Sequence, residues 1–497
     1  MEQGVVSVVS VQQILLAMAG NPALLPEHAD ALIAIGDPDV LLEVAREQHL
    51  SLAQTDRLAG YGQRELALAL VQAGNLPVER IPRDDPWAML AGIGRADAPD
   101  EWLSLLASWP DPAVRRALGV HATERSDIAV LVADDADCSV AACAAQLYEL
   151  PNELGGRLAQ RAESCVRVAL GSNLHVSAAT LAELITDGGR PPMRPCPHWP
   201  DLALALREVR TRVAGNPSTP LDAVVPFVTE PDPAMALALA RRSDLPDGVY
   251  DSLVAMRDPQ ITIRVAMNWA VPAGLLRRLY DDDAGRWRQA VLANPRTPLD
   301  LLIRHSRARG VPSTDYHPDL ETLRALATDT DPRVRLVAAA SRRIPPNLRA
   351  ALINDSDIDV VQRAVCDVSV SPEQVRATAA RHGLQLFPYL AGHPCCPPDI
   401  LFVIATHPDS PIGAILDVAI HEASPPAALA ACLRRPQAVA YVAGNPAAPP
   451  DMLSELAAHP DPEVVLEVAR NPSLPHAAGH RVLQHLAATT RQQEPEP

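Results

Sequence analysis

Residues 443–472 read AGNPAAPPDMLSELAAHPDPEVVLEVARNP, opening and closing on the same dipeptide, Asn445-Pro446 and Asn471-Pro472, 26 residues apart. Self-similarity at a fixed period of this size is the mark of a repeat architecture. Within the stretch, the Pro449-Pro450 pair suits a first helical turn, where no amide is needed. Leu453, Leu456 and Ala457 then recur on one helical stripe. His-Pro-Asp-Pro interrupts that helix. Asp461 is a good N-cap and Pro462 a good first residue for a second, shorter helix, with Val464, Val465, Val468 and Ala469 facing inward.

The period extends along the chain. Asn216, Arg242, Asn268 and Asn294 fall at steps of 26, each with a proline four residues on; Ser341, Asp367 and His393 continue the series, a slightly shifted unit follows at His421, and Asn445 and Asn471 restore the step. In the first third, Asn21, Glu47 and Ala73 keep the spacing with fainter sequence. Asp-Pro starts like that of the second helix recur at Asp111, Asp232, Asp258 and Asp331. A two-helix unit this short cannot bury its apolar stripe alone, so the expected fold is an all-α solenoid of about 17 stacked repeats. In that fold the Asn of Asn-Pro ends the second helix, by a left-handed backbone or by bonding turn amides, and the proline prevents its continuation.

Composition agrees. Of 497 residues 48% are hydrophobic but only 3% aromatic, with 49 prolines, a profile of short Ala/Leu/Val helices cut by turns. All 43 basic residues are arginine. A chain without lysine has no P-loop lysine, no pyridoxal Schiff base and no kinase strand lysine. The formal net charge of −17 disfavours general binding to nucleic acid or to an anionic membrane. Eight cysteines without regular spacing read as reduced thiols in a cytoplasmic protein. The apolar start lacks a basic n-region and runs into Asn21-Pro22, so it reads as a capping helix, and no segment is long enough to span a bilayer.

The strings VAGNPSTPLDAV, VLANPRTPLDLL and VAGNPAAPPDML, joined by DPRVRLVAAAS and DPEVVLEVARN, resemble the variant leucine-rich repeat family of bacteria, a relative of HEAT-type helical repeats. The resemblance covers nearly the whole chain, most strongly 206–303 and 328–487. It implies a right-handed superhelix alternating α with 3₁₀ helices. The Cys-rich iron–sulfur module that precedes the repeats in some members is not carried over, since the first cysteine is Cys138.

Breaks in the period divide the chain: divergent repeats 1–186, an insertion 187–204, regular repeats 205–304, a second insertion 305–327, repeats 328–487 ending in a capping helix, and a disordered tail 488–497. Insertions in a solenoid project as loops, often on the binding face. Both are rich in Arg and His, and aromatic residues gather between them. The reading is therefore a non-catalytic scaffold that binds a protein or peptide on its concave face, anchored by Trp199, Trp269, Trp287, Arg288 and Tyr316. No cofactor is expected.

Two other classes stay open: a HEAT-like protein that processes nucleic acid, resembling alkylpurine glycosylases, and a metal or redox protein built on Cys196, His198, Cys395 and Cys396. Against the latter, Cys196 and His198 are two ligands where zinc needs four, and Cys395-Cys396 fill slots that other repeats give to turn residues. Asp281, Asp282 and Asp283 fall at an inter-helix turn. His476 and His480 suit the polar outer face of a terminal repeat. Arg115, Arg288 and Arg335, near the starts of second helices, form a candidate exposed stripe.

Overall fold

The computed structural model describes residues 9–186, 191–228, 232–282, 285–309 and 319–493. Among these the chain is all-helical, with 34 α-helices and five short 3₁₀ turns, and its only extended pairings are isolated bridges at Glu163/Arg194 and Cys196/Trp199. It forms two compact lobes, one of residues 1–98 with 349–497 and the other of residues 99–348. In each, second helices of successive repeats pack side by side in one row and first helices form another.

The stretch 443–472 folds as its sequence dictates. The helix Pro450–Leu456 buries Leu453 and Leu456. Asp461 then caps the helix Pro462–Arg470 by accepting from the Glu463 amide, and Val464, Val465, Val468 and Ala469 are buried. Each fully buried Val or Leu contributes roughly 1.5–3 kcal/mol, so the inter-repeat interface supplies most of the driving force. Asp111, Asp232, Asp258 and Asp331 cap their helices in the same way. Where the family resemblance implied 3₁₀ segments, these second helices are α. At Gly215 the next second helix comes so close that a Cβ would stand 3.2 Å from that of Ala238.

The Asn-Pro asparagine does more than stop a helix. Its backbone is extended, not left-handed: Asn471 has φ −61° and ψ 122°. Its side chain is buried and joins two repeats. Asn471 Nδ2 donates to the Ala443 and Asn445 carbonyls, 2.8 Å each, while Oδ1 accepts from the Ser473 amide two residues on. The same pattern recurs at Asn445, Asn173, Asn216, Asn268 and Asn294. Several departures from asparagine keep the chemistry, whereas Asp367, a carboxylate, instead pairs with Arg349 and accepts from Ser369. Arg242 Nη1 donates to the Ala214 and Asn216 carbonyls. At His393 and His421 the next turn's amide donates to Nδ1, which leaves the proton on Nε2, and Nε2 donates to the Asp367 and His393 carbonyls. In the divergent N-terminal repeats the donors are Gln48 and Asn75, in place of the predicted Glu47 and Ala73.

The ladder also joins the two ends of the sequence within the first lobe. Asn21 Nδ2 donates to the Ala469 carbonyl at 2.6 Å and to the Asn471 carbonyl at 2.8 Å, the pattern of any two successive repeats. The helix Val11–Ala19 packs on Pro462–Arg470 and buries Ile14, Leu15, Met18 and Ala19. It is therefore an internal repeat of the stack, not the outer cap expected from the sequence. His476 is exposed, as a polar outer face requires, yet it also pairs with Glu27 at 2.7 Å and stacks on the buried His28 ring, 5.3 Å between centroids. Gly479 leaves room for that ring, since a Cβ there would come within 2.8 Å of it. The final helix, His476–Gln493, extends into the expected tail.

Replacing Asn294 by Ala strips two buried carbonyls of their donor and should lower stability by about 2–3 kcal/mol, measured by urea unfolding. His28 is buried with neither ring nitrogen hydrogen-bonded. Burial first, and the His476 charge second, push its pKa below the ordinary value, with Glu27 opposing and His480 adding to the depression. An unfolded chain then binds the proton more readily, so this site's contribution is complete above about pH 6.5 and is lost as pH falls below it. Hydrogen exchange should show protection of Val11–Ala19 falling between about pH 7.5 and 5.5, and less so in His28→Gln.

Candidate functional site

Of the residues predicted to anchor a partner, the structure presents one openly. Trp269 is 51% exposed at the turn after Asn268, with the Arg296 guanidinium 5.1 Å from its ring centroid. Trp287 is half-buried beside the short helix Arg288–Leu292, with Arg286 over its ring. Arg288 is turned inward: it donates to the Tyr280 carbonyl and lies over that ring, as Arg304 does from the next helix. Trp199 is half-buried in the first insertion. Tyr316 and Asp283 lie outside the described residues.

The supposed arginine stripe is an internal set of braces. Arg115 Nη1 donates to the Trp109 and Pro110 carbonyls, and Arg335 repeats this on Asp329 and Thr330, so each closes the turn that precedes its own helix. Arg115 also forms a bidentate pair with Asp135, whose side chain is largely buried. That hydrogen bond raises the arginine's pKa against the effect of burial. Asp281 and Asp282 pair with Arg304 and Arg286.

Aligning the ladder positions exposes a row that the sequence had hidden. The residue immediately after each ladder side chain sits at the edge of the turn, where Pro217, Pro295, Pro446 and Pro472 occur. In the second lobe three of these slots hold large apolar residues: Tyr148, 68% exposed, Leu174, 59% exposed, and Trp269. Two are flanked by a side chain from the following turn, Tyr148 by the His175 ring at 4.6 Å and Trp269 by Arg296. Tyr148 and Leu174 went unnoticed because the period is faint before residue 180; the equivalence becomes plain only once Asn173 is seen bonding to the Leu147 carbonyl. This lobe carries 28 Arg against 31 Asp and Glu, the rest of the chain 15 against 29, so the row lies on the nearly neutral part of the molecule.

The cysteines fall into two kinds. Cys395 and Cys396, both weak metal candidates, are turn residues of the first lobe. Cys395 donates its amide to His393, and Cys396 is buried, its thiol pushed up to about 12 by desolvation. Neither belongs to a cluster of potential ligands among the described residues.

Cys196 and His198, by contrast, meet a second pair. Cys138 begins the helix Cys138–Ala144 and Cys165 the helix Ser164–Ser172, one repeat later. Sγ of Cys138, Sγ of Cys196 and a ring nitrogen of His198 lie within 4.8 Å of one another. Cys165 points its thiol at the Cys138 carbonyl, 3.2 Å, and interacts with both sulfurs. Burial pushes Cys138 and Cys165 up. Burial also opposes a Cys196 thiolate, but the Cys165, His198 and Trp199 amides together with the Cys165 thiol outweigh it and bring Cys196 below the usual thiol value. The sequence did contain a signal for this pairing: Cys138 and Cys165 stand one repeat apart, so stacking brings them to neighbouring positions.

No protein-family model matches this chain, and comparison with curated proteins finds no match either. Burial pushes the Cys432 thiol up to about 11, so alkylation at neutral pH should leave Cys432 unmodified under conditions that modify the exposed Cys366, as read by mass spectrometry.

Proposed function

We propose that the protein is a non-catalytic scaffold of helical repeats, distantly related to the variant leucine-rich repeat family, that binds a protein partner along the turn edge of residues 99–348. The observation that carries this reading is the row Tyr148, Leu174 and Trp269. These are large apolar side chains in consecutive or nearby repeats, exposed where other repeats place proline. Apolar and aromatic anchors with a neighbouring Arg are the side chains that dominate protein interfaces. The Arg residues expected to meet nucleic acid are engaged with carboxylates and turn carbonyls, which argues against that alternative. The anchor set differs from the one read in the sequence: Trp269 stays, while Tyr148 and Leu174 take the places of Trp287 and Arg288.

The test is a triple variant, Tyr148→Ser, Leu174→Ser and Trp269→Ala, used beside wild type as bait in the native host. All three side chains are exposed, so thermal stability should be unchanged. Capture of the specific partner should fall at least about tenfold. A triple variant that retains the same partners as wild type would sink this reading.

A further inference from the structure

The first insertion is tied to the body of the second lobe at several points. Arg194 donates its amide to the Ala162 carbonyl at 2.7 Å, and its own carbonyl accepts from the Ser164 amide and hydroxyl at 3.1 and 2.6 Å. The buried Arg167 reaches out of the helix Ser164–Ser172 to the Pro191 carbonyl at 2.6 Å. These contacts deliver the stretch Cys196-Pro197-His198-Trp199 to the starts of two helices. There it makes a tight knuckle, Cys196 and Trp199 exchanging both backbone hydrogen bonds at 3.1 and 2.9 Å. Such a turn directs successive amides at one sulfur and places side chains two residues apart on the same side.

We propose that Cys138, Cys165, Cys196 and His198 bind one Zn²⁺ ion that staples the insertion to two successive repeats. The donor set is three sulfurs and one imidazole nitrogen, a structural zinc composition. Tetrahedral ligands at zinc bond lengths stand about 3.5–3.8 Å apart. Cys138, Cys196 and His198 already stand within 4.8 Å of one another, and Cys165, whose thiol faces the Cys138 carbonyl at 3.2 Å and interacts with both sulfurs, completes the set. Ligands of a multi-iron cluster stand farther apart, because several metal atoms lie between them.

On binding, the three thiols release their protons to solvent and the neutral imidazole donates a lone pair. The three cysteines are buried and His198 is exposed, so the ion is closed on the protein side and is reached from the surface through the imidazole. With all four positions filled by protein there is no open position for a substrate, which makes the role structural. The site rests on different residues from the partner-binding row, so the two stand or fall separately.

The full-length protein, purified from zinc-supplemented medium without chelator, should contain about one Zn per chain by elemental analysis, with no stoichiometric iron. Cys165→Ser and Cys196→Ser should fall to background, and Cys432→Ser should keep full occupancy. Because cysteine variants of a buried site can misfold, His198→Ala supplies a gentler test. Its exposed ring is dispensable for packing, and the variant should stay helical yet release zinc to a chelator at least about tenfold faster. Replacement of zinc by Co²⁺ should give sulfur-to-cobalt charge transfer and the visible bands of a tetrahedral ion. Folded wild type without stoichiometric zinc, zinc retained by Cys196→Ser, or unchanged release from His198→Ala would each overturn the assignment.

Discussion

Most junctions between repeats rest on one interaction, a buried side-chain donor that reaches one or two backbone carbonyls of the preceding repeat. Second helices end in extended backbone, so their last carbonyls lose the helical partner that the next turn would have supplied. Those carbonyls are buried, and a buried acceptor without a donor costs about 1–3 kcal/mol, as much as one fully buried Val or Leu contributes. The ladder side chain answers this in most pairs of repeats, and because its own carbonyl accepts from the next repeat, one step prepares the one that follows. Stacking is thereby fixed in register as well as driven by apolar burial.

This constraint explains which substitutions the repeat accepts. Asn, Gln, Arg and Nε2-protonated His differ in size and charge, yet each can direct N–H groups at two carbonyls or at one with an acceptor held for the turn. Gln48, Arg242, His393 and His421 all sit in the ladder on that ground. Arg242 also pairs with Asp244, so its charge does not stand alone in the interior.

The period, the two-helix repeat and the Asp-Pro starts were legible because they follow from local rules of caps, turns and helical stripes. The meaning of the asparagine was only half legible. A sequence shows that Asn-Pro ends a helix; it does not show that the amide group turns back onto the previous repeat, which depends on stacking distance. The shift from Glu47 and Ala73 to Gln48 and Asn75 has the same origin, since spacing alone does not say which neighbour carries the donor. Cys196 and His198 looked too few because Cys138 and Cys165 are distant in sequence and are brought near by stacking. Arg288 looked like an anchor because its type suits interfaces, whereas its carbonyl partner lies eight residues back.

The bond from Asn21 to the Asn471 carbonyl links residues 450 positions apart. During synthesis the chain emerges from its N-terminus, and the surface made by Ile14, Leu15 and Met18 waits for its counterpart until the repeat around Val465 has left the ribosome. Contacts of such separation are slow to form and leave apolar surface open in the interval. The repeat of Val11–Ala19 is thus made long before the repeat of Pro462–Arg470 that completes it, so a nascent or truncated chain offers there a template that fits that repeat of another copy as well as its own.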